Sequence, residues 1–282
     1  MTHRYRWDEL PHRVRDVVQT HAGMISSAVP ADEGQSSHVA LTLHRDQRPP
    51  VFLKGVKGVS REMRWLRNEI EVGGIAPGVA PAVLFHADVD DWLVVGFGHV
   101  DGRPADLRPG SADLPAVASA LDRIGAVTAT GLPALRDRWR GRWWHKLAEE
   151  RPDVASGWDL NQVARWEQRT LELLDGGHLL HTDLHADQFV LSDNGDTHVI
   201  DWGWPASGPC WVDPAFMVIR LIEAGHPIAD AQSWARAHTR WASASEEAIT
   251  AFAVYVAGLW SYKAATEALA RIARDYAAWR LQ

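Results

Sequence analysis

Short apolar runs separated by turn residues make up the first third of the chain. Their length and composition are typical of β-strands, which we predict over residues 24–29, 37–44, 51–56, 82–85 and 92–97. Apolar residues at helical spacing predict two helices, one over 11–21 and one over 60–72. Together these elements predict a small, mainly antiparallel sheet.

Most of the remaining chain has helical apolar spacing, after a linker over 98–111 that is rich in glycine and proline. Helices are predicted over residues 113–127, 133–150, 158–174, 214–224, 229–238 and 245–281. A short hairpin over 189–201 interrupts them, because Asp193-Asn194-Gly195-Asp196 is a strong turn signal between two apolar runs. The predicted fold class is α+β, with a β-rich lobe over 1–98, a helical lobe over 99–282 and a hinge at about 96–104.

Composition narrows the class of protein. The 282 residues are 46% hydrophobic, enough for a globular core, and no apolar run reaches the roughly 18 to 20 residues of a membrane span. A net charge of −7 argues against nucleic acid as a partner. The N-terminus lacks the apolar stretch of a secretory signal and Cys210 is the only cysteine, so we expect a cytoplasmic protein that binds no membrane.

Tryptophan is unusually frequent, with 15 residues. Trp139, Trp143 and Trp144 share the predicted helix 133–150 with several arginines. Their faces could form the wall of an acceptor cleft. Ordinary core packing is the interpretation that we favour.

The most specific motif is His181-Thr182-Asp183-Leu184-His185-Ala186-Asp187-Gln188 before the hairpin, with Asp201-Trp202-Gly203 after it. The hairpin can bring Asp183 and Asp201 together. One carboxylate can then accept the proton of an attacking hydroxyl, while the other holds a divalent metal against a polyphosphate. Phosphoryl transfer requires this division of roles, because the protein mainly positions groups and neutralises charge.

A lysine suited to phosphate binding precedes this motif. Lys54 lies within an otherwise apolar predicted strand, where an unpaired ammonium would be costly. The next helix offers Glu62 and Glu69 on one side, seven residues apart. Either carboxylate could pair with Lys54 and fix its tip where phosphate oxygens can reach it.

The pattern His-x-Asp-Leu, a hairpin and Asp-Trp-Gly is similar to the catalytic motifs of protein kinases. It resembles more closely the aminoglycoside phosphotransferase family, kinase-like small-molecule kinases whose catalytic loop usually has the sequence H-G-D-L-H-x-x-N. The resemblance covers nearly the whole chain. It implies a two-lobed protein-kinase-like fold and transfer of the γ-phosphoryl group of ATP or GTP, with Mg²⁺, to a hydroxyl of a small-molecule acceptor such as an aminoglycoside or other antibiotic.

The resemblance also implies roles for individual residues. Asp183 would be the catalytic base, and His181 would organise its loop. Asp201 and Gln188 would hold the Mg²⁺. The remaining nucleotide contacts would come from Lys54 with its partner Glu69 (Glu62 second), from Ser36 and Ser37, and from the hinge near Phe97 and His99.

Two departures from the family pattern affect this interpretation. Gln188 stands where the family has asparagine, and its side chain is one methylene longer. A nucleotide-binding protein with weak or no catalytic activity is therefore an alternative. In addition, the chain has no G-x-G-x-x-G loop before the second predicted strand; the segment Gly34-Gln35-Ser36-Ser37 stands there instead.

Two other polar features surround the motif. The cluster of His178, His181, Asp183, His185 and Asp187 could serve a zinc-dependent hydrolase, a less favoured alternative because the preceding Gly176-Gly177 argues against a continuous helix. Asp213 precedes a proline at the start of a predicted helix, so we interpret it as a structural helix cap.

Overall fold

The chain folds into two compact units in the computed structural model, which describes residues 4–31, 37–263 and 266–282. The first unit comprises the chain up to Pro104 together with Asp187–Pro205, and the second comprises Ala105–Ala186 and Ala206–Gln282. The lobes predicted from the sequence assigned 187–205 to the helical part, whereas these residues group with the first unit. The predicted α+β class is confirmed.

Most of the predicted helices and strands occur at or near their predicted positions. In chain order they are α1 (His12–Ala22), β1 (Ile25–Pro30), β2 (Val39–Arg45), β3 (Arg48–Lys57), α2 (Arg61–Ile75), β4 (Val83–Val89), β5 (Trp92–Gly98), β6 (Arg103–Pro104), α3 (Leu114–Ala126), α4 (Leu135–Arg138), α5 (Trp143–Glu150), α6 (Pro152–Ala155), α7 (Leu160–Leu173), β7 (His178–Leu180), β8 (Phe189–Leu191), β9 (Thr197–Val199), β10 (Ala206–Gly208), α8 (Val212–Glu223), α9 (Ile228–Arg236), α10 (Glu246–Lys263) and α11 (Glu267–Arg280). Short 3-10 helices cover Trp7–Glu9, Ala186–Gln188 and Trp241–Ser243. None of the helices within the described ranges has the length and apolar character needed to cross a membrane.

The first unit is built on a five-stranded antiparallel sheet with strand order β1-β2-β3-β5-β4. Side chains alternate between its two faces along β3. Val51 and Leu53 join the core cluster that includes α1, whereas Phe52 and Val56 pack with Leu66 of α2. By the same alternation Lys54 lies on the α2 face of the sheet.

A second, three-stranded sheet of the first unit, in the order β6-β8-β9, brings the distant segment Asp187–Pro205 into this unit. Its strands are antiparallel, and Phe189 and Val199 pair across them while both are fully buried. The amide of Val199 donates a hydrogen bond of 2.9 Å to the Val79 carbonyl. This packing places the Asp-Trp-Gly motif in the same unit as Lys54.

Helix α10 forms the centre of the second unit. Its residues from Ala248 to Gly258 are buried on every face, and it contacts α5, α7, α8 and α11. The Trp144 Nε1 atom donates to the Val254 carbonyl at 2.8 Å. A Cβ at Gly258 would lie 2.7 Å from the Trp144 ring, so the close approach of α5 and α10 requires glycine there. The strands β7 and β10 pair beside this helical core.

Two predicted helices are each divided in the structure. The prediction over 133–150 is wrong: α4 ends at Arg138 and α5 begins at Trp143. The Trp143 ring occupies the space beside Gly141, where a Cβ would lie 2.1 Å from it. The prediction of one helix over 245–281 is also wrong, because Thr266 begins α11 by accepting a hydrogen bond from the Leu269 amide.

The three tryptophans assigned to the first of these predicted helices therefore do not share one helix. They are all buried, and Trp139 stacks on Tyr255 with ring centroids 4.5 Å apart. The Trp143 Nε1 atom donates to the Tyr255 hydroxyl at 2.9 Å. These contacts confirm core packing as their role.

Candidate active site

Lys54 of the first unit is held between two carboxylates. Its Nζ atom lies 2.8 Å from Glu69 Oε2 and 2.5 Å from Asp201 Oδ1. The central strand β3 supplies Lys54, α2 supplies Glu69, and the loop after β9 supplies Asp201. The side chains of Lys54 and Glu69 are only 10% and 11% exposed, whereas that of Asp201 is 43% exposed.

Burial and neighbouring charges together set the pKa values of Lys54 and Glu69. Burial alone lowers the pKa of the Lys54 ammonium, but the negative charges of Glu69 and Asp201 outweigh burial and raise it above its ordinary value. Burial also raises the pKa of Glu69, and the Lys54 charge opposes that shift. Lys54 is therefore a fixed cation, and Asp201 is the more exposed of its two carboxylate partners.

The Asp-Trp-Gly loop has a tightly determined backbone. Asp201 adopts a left-handed conformation with φ of 62°, and its carbonyl accepts from the Gly203 amide at 2.8 Å. The buried Trp202 indole donates to the Val199 carbonyl at 2.7 Å. The Asn68 side chain donates to the Gly203 carbonyl at 2.9 Å, so α2 holds both Lys54, through Glu69, and this loop.

Asp201 and Gln188 offer oxygen donors of the kind that Mg²⁺ prefers, a carboxylate and a carboxamide. The Gln188 carbonyl accepts from the Ile200 amide at 3.0 Å, which ties the two segments together at their backbones. Gln188 is 4% exposed as a residue, while the Asp201 side chain is partly open to solvent. One or two protein oxygens completed by water and phosphate oxygens suit Mg²⁺, so the residues present fit this ion.

The loop carrying Asp183 lies in the second unit, and hydrogen bonds with His181 and Arg138 hold it. The fully buried His181 accepts from the Asp183 amide through Nδ1 at 3.4 Å. Thr182 has a left-handed backbone with φ of 66°, and its hydroxyl accepts from Arg138 Nη2 at 3.3 Å. Asp183 itself is exposed.

Asp213 is not the helix cap that the sequence suggested. Its two carboxylate oxygens accept from the backbone amides of His181 at 2.7 Å and Thr182 at 3.0 Å. Burial raises its pKa to about 6, against the opposing effect of these two hydrogen bonds and of Arg138. Pro214 lies in the first turn of α8, which begins at Val212, and the Asp213 carboxylate contacts the amides of His181 and Thr182 rather than the free amides of α8.

Three of the remaining residues predicted to contact the nucleotide, Ser37, Phe97 and His99, lie in or next to strands β2 and β5. Ser36 lies outside the described residues, and Ser37 is buried just before β2. Phe97 is a buried residue of β5, 5.9 Å from Lys54 Nζ at its ring centroid. His99 follows the strand, with Nδ1 3.1 Å from Asp101 Oδ1. Glu62, the second candidate partner of Lys54, instead accepts from Arg61 Nε at 2.8 Å.

Sequence reasoning missed Asn68 and Arg138 and assigned Asp213 wrongly. The signal that could have found Asn68 is its position next to Glu69, a candidate partner of Lys54. Arg138 and Asp213 contact the loop at His181 and Thr182 across 44 and about 30 residues of sequence. No local pattern identifies such partners.

The zinc-hydrolase alternative requires several metal ligands grouped in space. Among residues 4–31, 37–263 and 266–282, no three His, Cys, Asp or Glu side chains are placed to hold a metal ion. His178 belongs to strand β7 and the buried His181 contacts the backbone of its own loop. The cluster that suggested this alternative is therefore not assembled as a metal centre.

A small antiparallel sheet with a buried Lys–Glu pair, a His-x-Asp loop and an Asp-Trp-Gly loop define a kinase-like protein. Residues 16–249 match the phosphotransferase enzyme family, APH, so the chain belongs to that family. No protein sequence of curated function matches the chain.

Solved structures share the fold at low sequence identity. A thermostable mutant of aminoglycoside phosphotransferase APH(4)-Ia, in ternary complex with AMP-PNP and hygromycin B, is 18% identical with a TM-score of 0.62, covering 96% of this chain and 95% of that one. Choline kinase LicA from Streptococcus pneumoniae is 16% identical with a TM-score of 0.59, covering 95% and 94%. The AMP-bound spectinomycin phosphotransferase APH(9)-Ia is 13% identical with a TM-score of 0.56, covering 92% and 96%. These similarities confirm the two-lobed kinase-like fold.

Proposed function

We propose that this protein transfers the γ-phosphoryl group of ATP or GTP to a hydroxyl of a small molecule. The observation that carries the proposal is the buried Lys54 ammonium held by Glu69 and Asp201. A fixed, buried cation beside a partly exposed carboxylate suits the binding of a metal–polyphosphate. Family membership and the nucleotide complexes of the similar structures support the same co-substrate.

Each residue has a distinct task in this proposal. Lys54 binds the phosphate oxygens, and Glu69 orients it. Asp201 and Gln188 would hold Mg²⁺, which neutralises charge on the phosphates when bound. The base of the nucleotide contacts the chain near Phe97 and His99, and Ser37 lies just before β2, the strand that precedes that of Lys54. Asp183 accepts the proton of the acceptor hydroxyl, and His181 positions it.

The reaction balances without a further reagent. The acceptor oxygen forms a bond to the γ-phosphorus, the bond from that phosphorus to the β-phosphate oxygen breaks, and the nucleoside diphosphate leaves. The hydroxyl proton passes to the Asp183 carboxylate. Asp213 acts through its two hydrogen bonds to the loop, so it is a positioning residue.

The proposal is tested first by calorimetric titration with AMP-PNP and its guanine counterpart, each with and without Mg²⁺. We expect at least one analogue to bind about tenfold more tightly with Mg²⁺, and Asp201→Asn to remove that gain. Lys54→Met should weaken binding by tenfold or more, because it removes a charge-assisted contact with phosphate. Lys57→Met is the matched control: it lies on the same strand, but its side chain is 44% exposed and lies near Asp91.

Failure of both analogues to bind the wild-type protein would contradict the proposal. Turnover is tested separately with Asp183→Asn, which should keep nucleotide affinity but slow phosphoryl transfer by about 10²–10⁴-fold. The alternative of a catalytically weak protein predicts a gain in metal affinity or turnover for Gln188→Asn. The proposed enzyme predicts little change for that variant.

A further inference from the structure

A small pocket of the second unit adjoins the proposed base. Its volume is about 260 Å³, below the roughly 300–1,000 Å³ of most ligand clefts, so it suits a small acceptor. The loop after β7 contributes one side of it, and helices α8, α10 and α11 contribute the rest. The lining residues used below are Asp183, Phe216, Arg220 and Trp260.

Arg220 is fixed at the edge of this pocket. Its Nε atom donates to the Leu184 carbonyl at 3.1 Å, directly beside Asp183 in the chain, and Nη1 donates to Glu223 at 3.0 Å. Its guanidinium lies 5.4 Å from the centroid of the Trp260 ring, and its side chain is 13% exposed. In the part of the chain that the structure describes, Nη2 has no hydrogen-bond partner.

The described residues that line the pocket do not provide the several negative charges that a polycationic ligand would need. Of the described residues that line it, only Asp183 and Arg220 have an acidic or basic side chain. An acceptor with several ammonium groups would meet a single carboxylate, which is the proposed base, and would be repelled by the fixed guanidinium. A carboxylate on the acceptor would instead receive a charge-assisted hydrogen bond from Arg220.

The wall of the pocket is aromatic and flat. Phe216 and Arg220 are four residues apart on one face of α8, and the Phe216 ring stacks on Trp260 at 5.9 Å with an angle of 26° between the planes. Such a wall can stack against the planar or apolar body of an acceptor.

We propose that the acceptor is a small hydroxy-carboxylate with a flat or apolar body, selected by Arg220 through its carboxylate and by Trp260 and Phe216 through its body. Its hydroxyl would face Asp183. This inference rests on the proposed function and deepens it. Arg220 is then the specificity-determining residue of the site.

The test uses three probes that share one ring and one hydroxymethyl group and differ in charge: 3-(hydroxymethyl)benzoate, its methyl ester and 3-(hydroxymethyl)benzylamine. Binding to the full-length protein is measured by ligand-observed NMR titration, and phosphorylation by release of the nucleoside diphosphate. We expect the wild type to bind the carboxylate about tenfold more tightly than the ester, and the amine least. Arg220→Gln should remove the preference for the carboxylate, and Arg220→Lys should retain part of it.

Arg236→Gln is the matched control, because Arg236 is an exposed arginine of α9 whose ion pair is with Glu246. It should keep the wild-type preference. Equal or absent binding of the carboxylate by the wild type, or a preference for the amine, would overturn the inference. If the carboxylate binds selectively but nucleotide does not bind, the proposed function fails alone; if Mg²⁺-dependent nucleotide binding persists without this selectivity, the inference fails alone.

Discussion

Thr182 combines backbone strain with stabilising contacts beside the proposed base. A β-branched residue at φ of 66° pays a steric cost of about 1–2 kcal/mol, because its Cβ crowds the neighbouring carbonyl. The amide of Thr182 donates to Asp213 and its hydroxyl accepts from Arg138. These two contacts hold the loop in a conformation that threonine alone does not favour.

The strain can be measured by comparing Thr182→Gly with Thr182→Ala. Both variants lose the hydroxyl that contacts Arg138, so they differ only in the presence of Cβ at a left-handed position. We expect the glycine variant to be more stable by about 1 kcal/mol in urea unfolding. An alanine variant of equal or greater stability would show that the loop carries no such strain.

At the scale of single residues, the sequence predicts those side chains whose partners follow from periodicity. The otherwise apolar strand around Lys54 and the two glutamates of the next helix predict that Lys54 pairs with Glu62 or Glu69, and the structure selects Glu69. Judged from the sequence, the Asp213 carboxylate could equally well cap the adjacent helix or accept hydrogen bonds from a distant part of the chain. Only the packing of α8 against the catalytic loop decides between them.

Among the elements, α5 depends on a buried carboxylate from another helix. Glu167 of α7 accepts from the amides of Trp143 at 2.8 Å and Trp144 at 3.2 Å, which are the first residues of α5. Burial raises the pKa of Glu167 to about 7, although both hydrogen bonds favour the ionised form. The start of α5 is thus determined by α7, and no capping residue in its own sequence marks it.

This raised pKa predicts a pH dependence of stability. The folded protein retains a proton on Glu167 that the unfolded chain loses, so the contribution is complete below the ordinary pKa of 4.5 and is lost as pH rises through about 7. Glu167→Gln should remove this dependence. Its stability relative to the wild type should therefore rise by up to roughly 3 kcal/mol between pH 4.5 and pH 8 in urea unfolding.

The exposed Glu71→Gln is the control for that comparison, since it makes the same chemical change on the surface of α2. Its difference from the wild type should stay nearly constant with pH. A constant difference for Glu167→Gln as well would mean that Glu167 is ionised in the folded protein throughout this range.

Elements were predictable where apolar periodicity continued without interruption, as in β3, β5 and α2. The helices over 133–150 and 245–281 were predicted as continuous because their apolar spacing persists through the breaks. The first break follows from the position of the Trp143 ring beside Gly141, and the second from the cap at Thr266. Both depend on tertiary contacts or short caps that periodicity alone does not detect.

On the scale of the whole molecule, the chain leaves the second unit after Ala186, forms β8, β9 and the Asp-Trp-Gly loop in the first unit, and returns at Ala206. The first unit therefore needs a segment that is synthesised after much of the second unit. The nucleotide-binding residues proposed here lie in one compact unit even though Lys54 and Asp201 are 147 residues apart. Stability should follow these units rather than sequence order.

Native-state hydrogen exchange tests this organisation. Leu53→Ala removes a fully buried side chain of the first unit and should cost about 2–5 kcal/mol there. We expect the opening free energy of the Val199 amide, bonded to Val79, to fall together with those of β3, while the Leu179 amide, bonded to Val127, keeps its protection. Leu121→Ala in the core of α3 should give the reverse pattern, because that side chain belongs to the second unit. If Val199 and Leu179 lost protection equally in both variants, the hairpin would open with its chain neighbours, and the assignment of Asp201 to the cooperative structure that holds Lys54 would be wrong.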